Sequence, residues 1–216
     1  MSPIIGSQEM QARLAGLHSS LEAARKLSAD ELAAQIKALG FECRHCGDCC
    51  TGEDNSVVIF PFEIRRIMAF TGWGWLETAE PPAEGEWDGQ GNLHTLEWRV
   101  KKEKGSCRFF SEGSCRIYAA RPFICSTYPF YLDSGFLRCS ECRGLGARIE
   151  FAEAEKMASL IIERSKSEIL EAIALLEMYE DFERGEQLSN GACIVHDSEG
   201  EHRISFDLII PSISPQ

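Results

Sequence analysis

Residues 41–50 read Phe41-Glu42-Cys43-Arg44-His45-Cys46-Gly47-Asp48-Cys49-Cys50. Cys43, Cys46 and Cys49 carry the spacing C-x-x-C-x-x-C. Two-residue gaps let a turning backbone aim successive sulfurs at one centre, and Gly47 can take the positive φ that brings backbone N–H groups towards sulfur. Ferredoxin-like clusters use this kind of tripod, and zinc knuckles use C-x-x-C. The spacing points to metal and leaves its identity open. Cys50 follows Cys49 directly, with α-carbons about 3.8 Å apart. On a locally extended backbone neighbouring side chains face opposite ways, so the simplest expectation is that Cys49 serves one centre and Cys50 a second. A disulfide between them would close a strained small ring.

Nine of the ten cysteines lie between Cys43 and Cys142. Met1 to Met10 has neither a basic n-region nor an apolar h-region, so no signal peptide is read, and no apolar run approaches the length of a membrane span. The expectation is a cytoplasmic protein with reduced thiols, in which clustered cysteines read as metal ligands before disulfides. Cys43, Cys46, Cys49 and Cys50 supply four sulfurs; Cys107, Cys115, Cys125 and Cys142 supply four more. Eight thiolates suffice for two four-sulfur sites. Cys139 is a ninth, as an alternative ligand or a bystander. Cys193, remote and in a strand pattern, reads as a small buried hydrophobe.

The remaining chain reads as α+β. Met10, Leu14, Leu17 and Leu21 recur at helical spacing within 8–39, Ser28 with Glu31 makes a capping-box pattern opening a second helix over 29–39, and Gly40 ends it. Val57–Phe60 reads as a strand, and Pro61 opens a helix with Ile64, Ile67 and Met68 on one face. Residues 80–91 read as a weakly ordered loop, and Leu93–Lys101 as one strand with Leu96, Trp98 and Val100 on one side. Glu112-Gly113 marks a turn, Tyr131–Cys139 a hairpin around Asp133-Ser134-Gly135, 152–183 a long helix with an acidic outer face, and Ala192–Pro211 a hairpin turning at Glu199-Gly200. The expected plan is an N-terminal helical pair (1–40), a cysteine-cluster domain (41–146), and a long helix with a β-hairpin (147–216), all packed on a small antiparallel β region holding a cysteine-rich metal core.

Here the sequence resembles the CxxCxxCC family of zinc- or iron-chelating proteins, also called the YkgJ-like cysteine cluster family. The matching stretches are Cys43–Cys50, Cys107–Cys115, Tyr118–Pro129 and Cys142–Gly146. The family's order is CxxCxxCC, a pair of cysteines before Arg-Pro, a cysteine after it, and C-P-G-[IL]-G. Arg121-Pro122 leads to Cys125, and Tyr128-Pro129 fits the downstream aromatic-Pro. The last motif reads Cys142-Arg143-Gly144-Leu145-Gly146, with Arg143 where proline is usual; the departure touches the backbone more than the ligand. The resemblance covers about 41–146 and implies metal binding by these eight cysteines.

All-sulfur donors suit iron–sulfur clusters, including 4Fe-4S, and structural zinc alike. No histidine fills a ligand position; His45 lies between two cysteines and reads as flanking. The unbroken tripod and the placement of 15 of the 20 aromatics between Phe60 and Phe136 favour iron, since an apolar shell excludes water and tunes a cluster, although the same aromatics would serve as the β-region core. Arg108, Arg116, Arg121, Arg138 and Arg143 sit close in sequence to these cysteines, and Arg121 is the best candidate for a cation facing them or for a buried ion pair, against the alternative of an ordinary surface arginine. The run Arg99, Lys101, Lys102, Lys104 reads as a docking stripe or a solvated strand edge.

The net charge of −12 disfavours nucleic-acid or anionic-membrane partners; residues 143–216 supply 7 basic and 15 acidic groups of the total. No Walker A, G-x-G-x-x-G or G-x-S-x-G motif is present. Three functions stand open: an iron–sulfur protein in electron transfer or a redox-linked modification, a zinc-stabilised module whose acidic helix docks a protein partner, and a metal-chelating or delivery protein. Whether the chain is an enzyme is not decided by its sequence.

Overall fold

A computed structural model describes residues 7–52, 55–188 and 191–209. Residues 1–6 and 210–216 lie outside these, among them the last two residues of the 192–211 hairpin.

Helix α1 (Ser7–Ala24) and α2 (Ala29–Leu39) form the N-terminal pair. Ser28 caps α2 by accepting the Glu31 N–H at 3.3 Å, one half of the capping-box pattern. The buried stripe Leu32, Ala33 and Ile36 faces the long helix α6 (Phe151–Met178). Pro61 sits at the first turn of α3 (Pro61–Thr71), where its missing N–H costs nothing, and Ile64 and Ile67 are fully buried. Between α3 and α6 lie two short helices, α4 (Trp75–Thr78) and α5 (Phe123–Thr127). α7 (Phe206–Ile209) closes the described chain.

The strands are short. One three-stranded sheet pairs 98–100 with 58–59 and 79–80, all antiparallel. A four-stranded sheet runs 200–205, 192–197, 93–95, 86–87. The β region is not wholly antiparallel: 192–197 lies parallel to 93–95. A parallel neighbour needs a long crossover, and here the intervening chain includes α6. The Leu93–Lys101 stretch is not one strand. It breaks after Thr95, leaving Leu96 exposed while Trp98 and Val100 are buried in the other sheet. Nor is 80–91 a loose loop: Glu86–Trp87 joins the sheet and Asp88, Gly91 and Asn92 are buried. α6 ends at Met178, five residues short of the expected 183.

Two apolar clusters result. One gathers Ile59, Ile64, Ile67, Trp98, Phe109 and Val195 around the sheets. The other gathers Leu32, Ile36, Phe41, Phe130 and Ile161 around α2 and α6. Cys107 and Cys115 pack against the first, Cys43 and Cys142 against the second.

Candidate metal centre

Between these clusters lies a cavity of about 380 Å³. Its wall carries Cys43, Cys46, Cys49, Cys50, Cys107, Cys115, Cys125 and Cys142, the eight cysteines of the resemblance. Cys139 is exposed at the end of a hairpin and Cys193 is 1% exposed within the strand 192–197; neither lines the cavity. Among the described residues no three His, Cys, Asp or Glu side chains converge on one point as a finished single-ion site. The sulfurs stand around a chamber. As a donor set, eight soft thiols in a partly apolar pocket fit zinc or iron and not a hard, oxygen-seeking ion.

Each wall segment has a local cause. Gly47 takes φ 81° and ψ −5°, and a Cβ there would run into the Phe110 ring. The left-handed turn starts a single 3-10 turn, Asp48–Cys50, closed by Cys50 N–H to Gly47 O at 2.8 Å. Cys107 and Cys115 each end a two-residue strand. Their hairpins turn at Lys104-Gly105 (φ 51°, 75°) and Glu112-Gly113 (φ 54°, 74°); paired positive φ is the primed turn that matches strand twist. Cys125 rides on α5, whose first N–H, Phe123, donates to the Glu63 carboxylate at 2.6 Å. Cys142 is drawn in by Glu42 N–H to Gly144 O at 3.0 Å and the Phe41–Leu145 bridge, and the Gly144 N–H points at its sulfur at 3.4 Å. Arg143 in place of proline pairs with Asp48 at 2.8 Å, so the departure from the family motif adds a tie between two cysteine-bearing segments.

The expectation that Cys49 and Cys50 face opposite ways is overturned. It assumed extended backbone, but in a 3-10 turn successive side chains are about 120° apart, and the two Sγ atoms lie 3.8 Å apart. Their protonation is split accordingly. The hydrogen bond from Cys50 lowers Cys49 to about 6 despite partial burial, while the same contact and burial push Cys50 far up. Burial raises Cys107, Cys115, Cys125 and Cys142. Buried Cys193 is pushed up to about 11.

Of the four arginines on the wall, Arg44 pairs with Glu42, Arg143 with Asp48 and Arg164 with Glu168. Arg121 has no carboxylate within ion-pair reach among the described residues. Its guanidinium stacks 3.6 Å from the Tyr118 ring centroid and its Nε donates to Tyr118 O at 3.0 Å. Its charge lowers Cys49, Cys115 and Cys125. Arg108, Arg116 and Arg138 are tied elsewhere, to Glu103, Ser111 and Asp133. His45 is exposed at φ 51° with its ring 5.2 Å from Tyr118. The basic run does not form a stripe: Arg99 pairs with Glu97, Lys101 donates to Leu76 O and Lys102 to Gly52 O. Glu63 and Tyr118, which position Cys125 and Arg121, were not legible beforehand; both are recognised only by what lies across from them.

The fold and this site define an α+β protein with a chamber walled by eight thiols between two apolar cores. The match to a family model over residues 42–159, described as "Putative zinc- or iron-chelating domain", covers more than half of the chain, and the chain belongs to that family, CxxCxxCC. The matched stretch runs beyond Gly146 into the first turns of α6. Neither a curated protein nor a solved structure matches the chain. No helix among the described residues is long and apolar enough to cross a membrane.

Proposed function

We propose that the chamber holds two all-thiolate metal centres of iron–sulfur type, serving electron transfer or a redox-linked modification in a reducing, cytoplasmic setting with a protein partner. One observation carries the reading: the eight cysteines come from four separated stretches and meet on one cavity, while Cys139 and Cys193 stay away. Bound iron–sulfur would supply one-electron exchange. The chain's own residues do the rest. Phe41, Phe109 and Phe130 wall off solvent, and Arg121 offsets thiolate charge. A zinc-stabilised protein-binding module is the second reading, favoured by the 3.8 Å separation of Cys49 and Cys50, which fits an edge of a zinc–thiolate tetrahedron.

Anaerobic purification with iron, zinc and acid-labile sulfide measured against protein, plus a visible spectrum, separates the two. A brown protein with iron and sulfide in comparable amounts supports the first. A colourless protein with one or two zinc ions per chain supports the second. A metal-free protein that takes up neither metal overturns both.

A further inference from the structure

The Cys49 and Cys50 sulfurs stand 3.8 Å apart on the chamber wall. The arrangement is built by the backbone. Gly47 in the left-handed region directs the chain into the 3-10 turn, and the Cys50 N–H to Gly47 O bond closes it. Asn55 ties the far side by donating to Asp48 O at 2.7 Å and to Thr51 O. Two vicinal sulfurs are thus held on one side of the chain rather than on opposite sides.

The separation has a chemical meaning. Two sulfurs bonded to one tetrahedral ion at about 2.3 Å each stand about 3.8 Å apart. Sulfurs bonded to two different ions stand further apart, because the metal–metal separation is added to the bonds. We propose that Cys49 and Cys50 ligate the same metal ion, as one preformed edge of its tetrahedron; the proposal rests on the metal reading above. The pair needs no rearrangement to bind, so it is the docking point for the ion, and the remaining thiolates close on it from the chamber wall.

A consequence follows for the kind of centre. A four-iron cubane takes four cysteines for four irons, one thiolate each. An ion holding two protein thiolates is therefore mononuclear or belongs to a two-iron cluster. The centre that includes Cys49 and Cys50 is not a cubane, whatever the other centre holds.

The test loads the full chain with cadmium-113 and correlates the assigned cysteine β-protons with the cadmium resonances. The β-protons of Cys49 and Cys50 are expected to couple to one and the same resonance. Coupling to two different resonances, or coupling of only one of the pair, overturns the proposal while leaving metal binding intact. Failure to bind cadmium at all overturns the metal reading itself, and the proposal with it. Stoichiometry gives a second reading. Cys49→Ser and Cys50→Ser should each lose the same one equivalent of cadmium, and the double variant no more; loss of two equivalents in the double variant overturns the proposal.

Discussion

The Glu63 carboxylate is 1% exposed, and its two oxygens hold two segments together: Oε1 accepts the Phe123 N–H at 2.6 Å and Oε2 the Phe60 N–H at 3.2 Å. Arg66 stands 3.5 Å away, and burial raises the carboxyl above its usual range. Glu63→Ala strands two N–H groups, at roughly 1–3 kcal/mol for each that stays dry, and frees the start of α5 that carries Cys125. The expected result is a denaturant midpoint lowered accordingly, together with weaker metal retention. Glu63→Gln keeps one acceptor and should fall between. A wild-type midpoint in Glu63→Ala would show that α5 is anchored by packing alone. Arg121 makes a different kind of prediction. Its guanidinium, stacked on Tyr118 and without a carboxylate partner among the described residues, acts on the sulfurs through charge, so Arg121→Gln should lower metal affinity by about 10- to 100-fold, the usual effect of losing an outer partner, and make the reduction potential of an iron form more negative. Arg121→Lys should recover the potential better than the affinity, because it restores charge without the planar fork. Unchanged potential in Arg121→Gln would make the residue structural.

At the scale of elements, the four-stranded sheet is pinned by a buried polar chain. Asp88 accepts from Gln90 N, Asn92 N and Asn92 Nδ2, each at 2.8 Å, and from His94 Nε2 at 3.1 Å. Burial alone would raise this carboxyl, but those donors, with Asn92 foremost, hold it well below the usual carboxylate range. His94 Nδ1 in turn lies 2.7 Å from His196 Nε2, one ring nitrogen donating to the other. His196 Nδ1 is left facing Glu201 at 3.6 Å, with Tyr179 and Phe182 rings covering the pair. Burial lowers His196 below the ordinary imidazole value. The unfolded chain therefore takes up a proton first as pH falls, and stability present at neutral pH is lost as pH drops through and below that ordinary value. Urea midpoints should fall between pH 7.5 and pH 5.5, and His196→Gln should flatten the dependence. A midpoint that holds or rises on acidification would refute a neutral, buried His196. This chain of contacts joins residues 102 apart, which is why no local pattern disclosed it. The local devices were readable: Ser28 before α2, Pro61 opening α3, Glu112-Gly113 and Ser134-Gly135 at hairpin tips, because each acts within four residues. The first four cysteines stood out because their spacing is local; the other four were marked by count and by resemblance, and only the fold brings them to the same cavity. The direction of Cys50 was not, since it depends on whether Gly47 starts a 3-10 turn, and the room for that turn is set by Phe110, some sixty residues away.

For the whole molecule, the decisive fact is that the thiol chamber separates two apolar clusters instead of filling with side chains. The helical cluster of α2 and α6 has its own buried residues, as does the cluster around the sheets. What ties the walls together across the chamber is thin among the described residues: the Thr51–Ser106 bridge and hairpins of two-residue strands, while the Phe41–Leu145 bridge stays within the helical cluster. A metal bound only by the folded chain adds RT ln(1 + [L]/Kd) to stability, about 4 kcal/mol at a thousandfold excess over Kd. In a chain of this size each kcal/mol moves the melting point by roughly 2–4 °C. Chelation should therefore lower Tm by about 10 °C, and the loss should be uneven. The stretches 41–58 and 101–117 should become open to proteolysis and amide exchange first, because their ties are few. The far-ultraviolet helical signal should persist, because α1, α2 and α6 are packed without the chamber's help. A chelated protein that keeps its melting point would mean that the thiols contribute no metal-linked stability. One that loses helix and sheet together in a single step would mean that the two clusters fold only as a unit, with the metal acting as part of their common core.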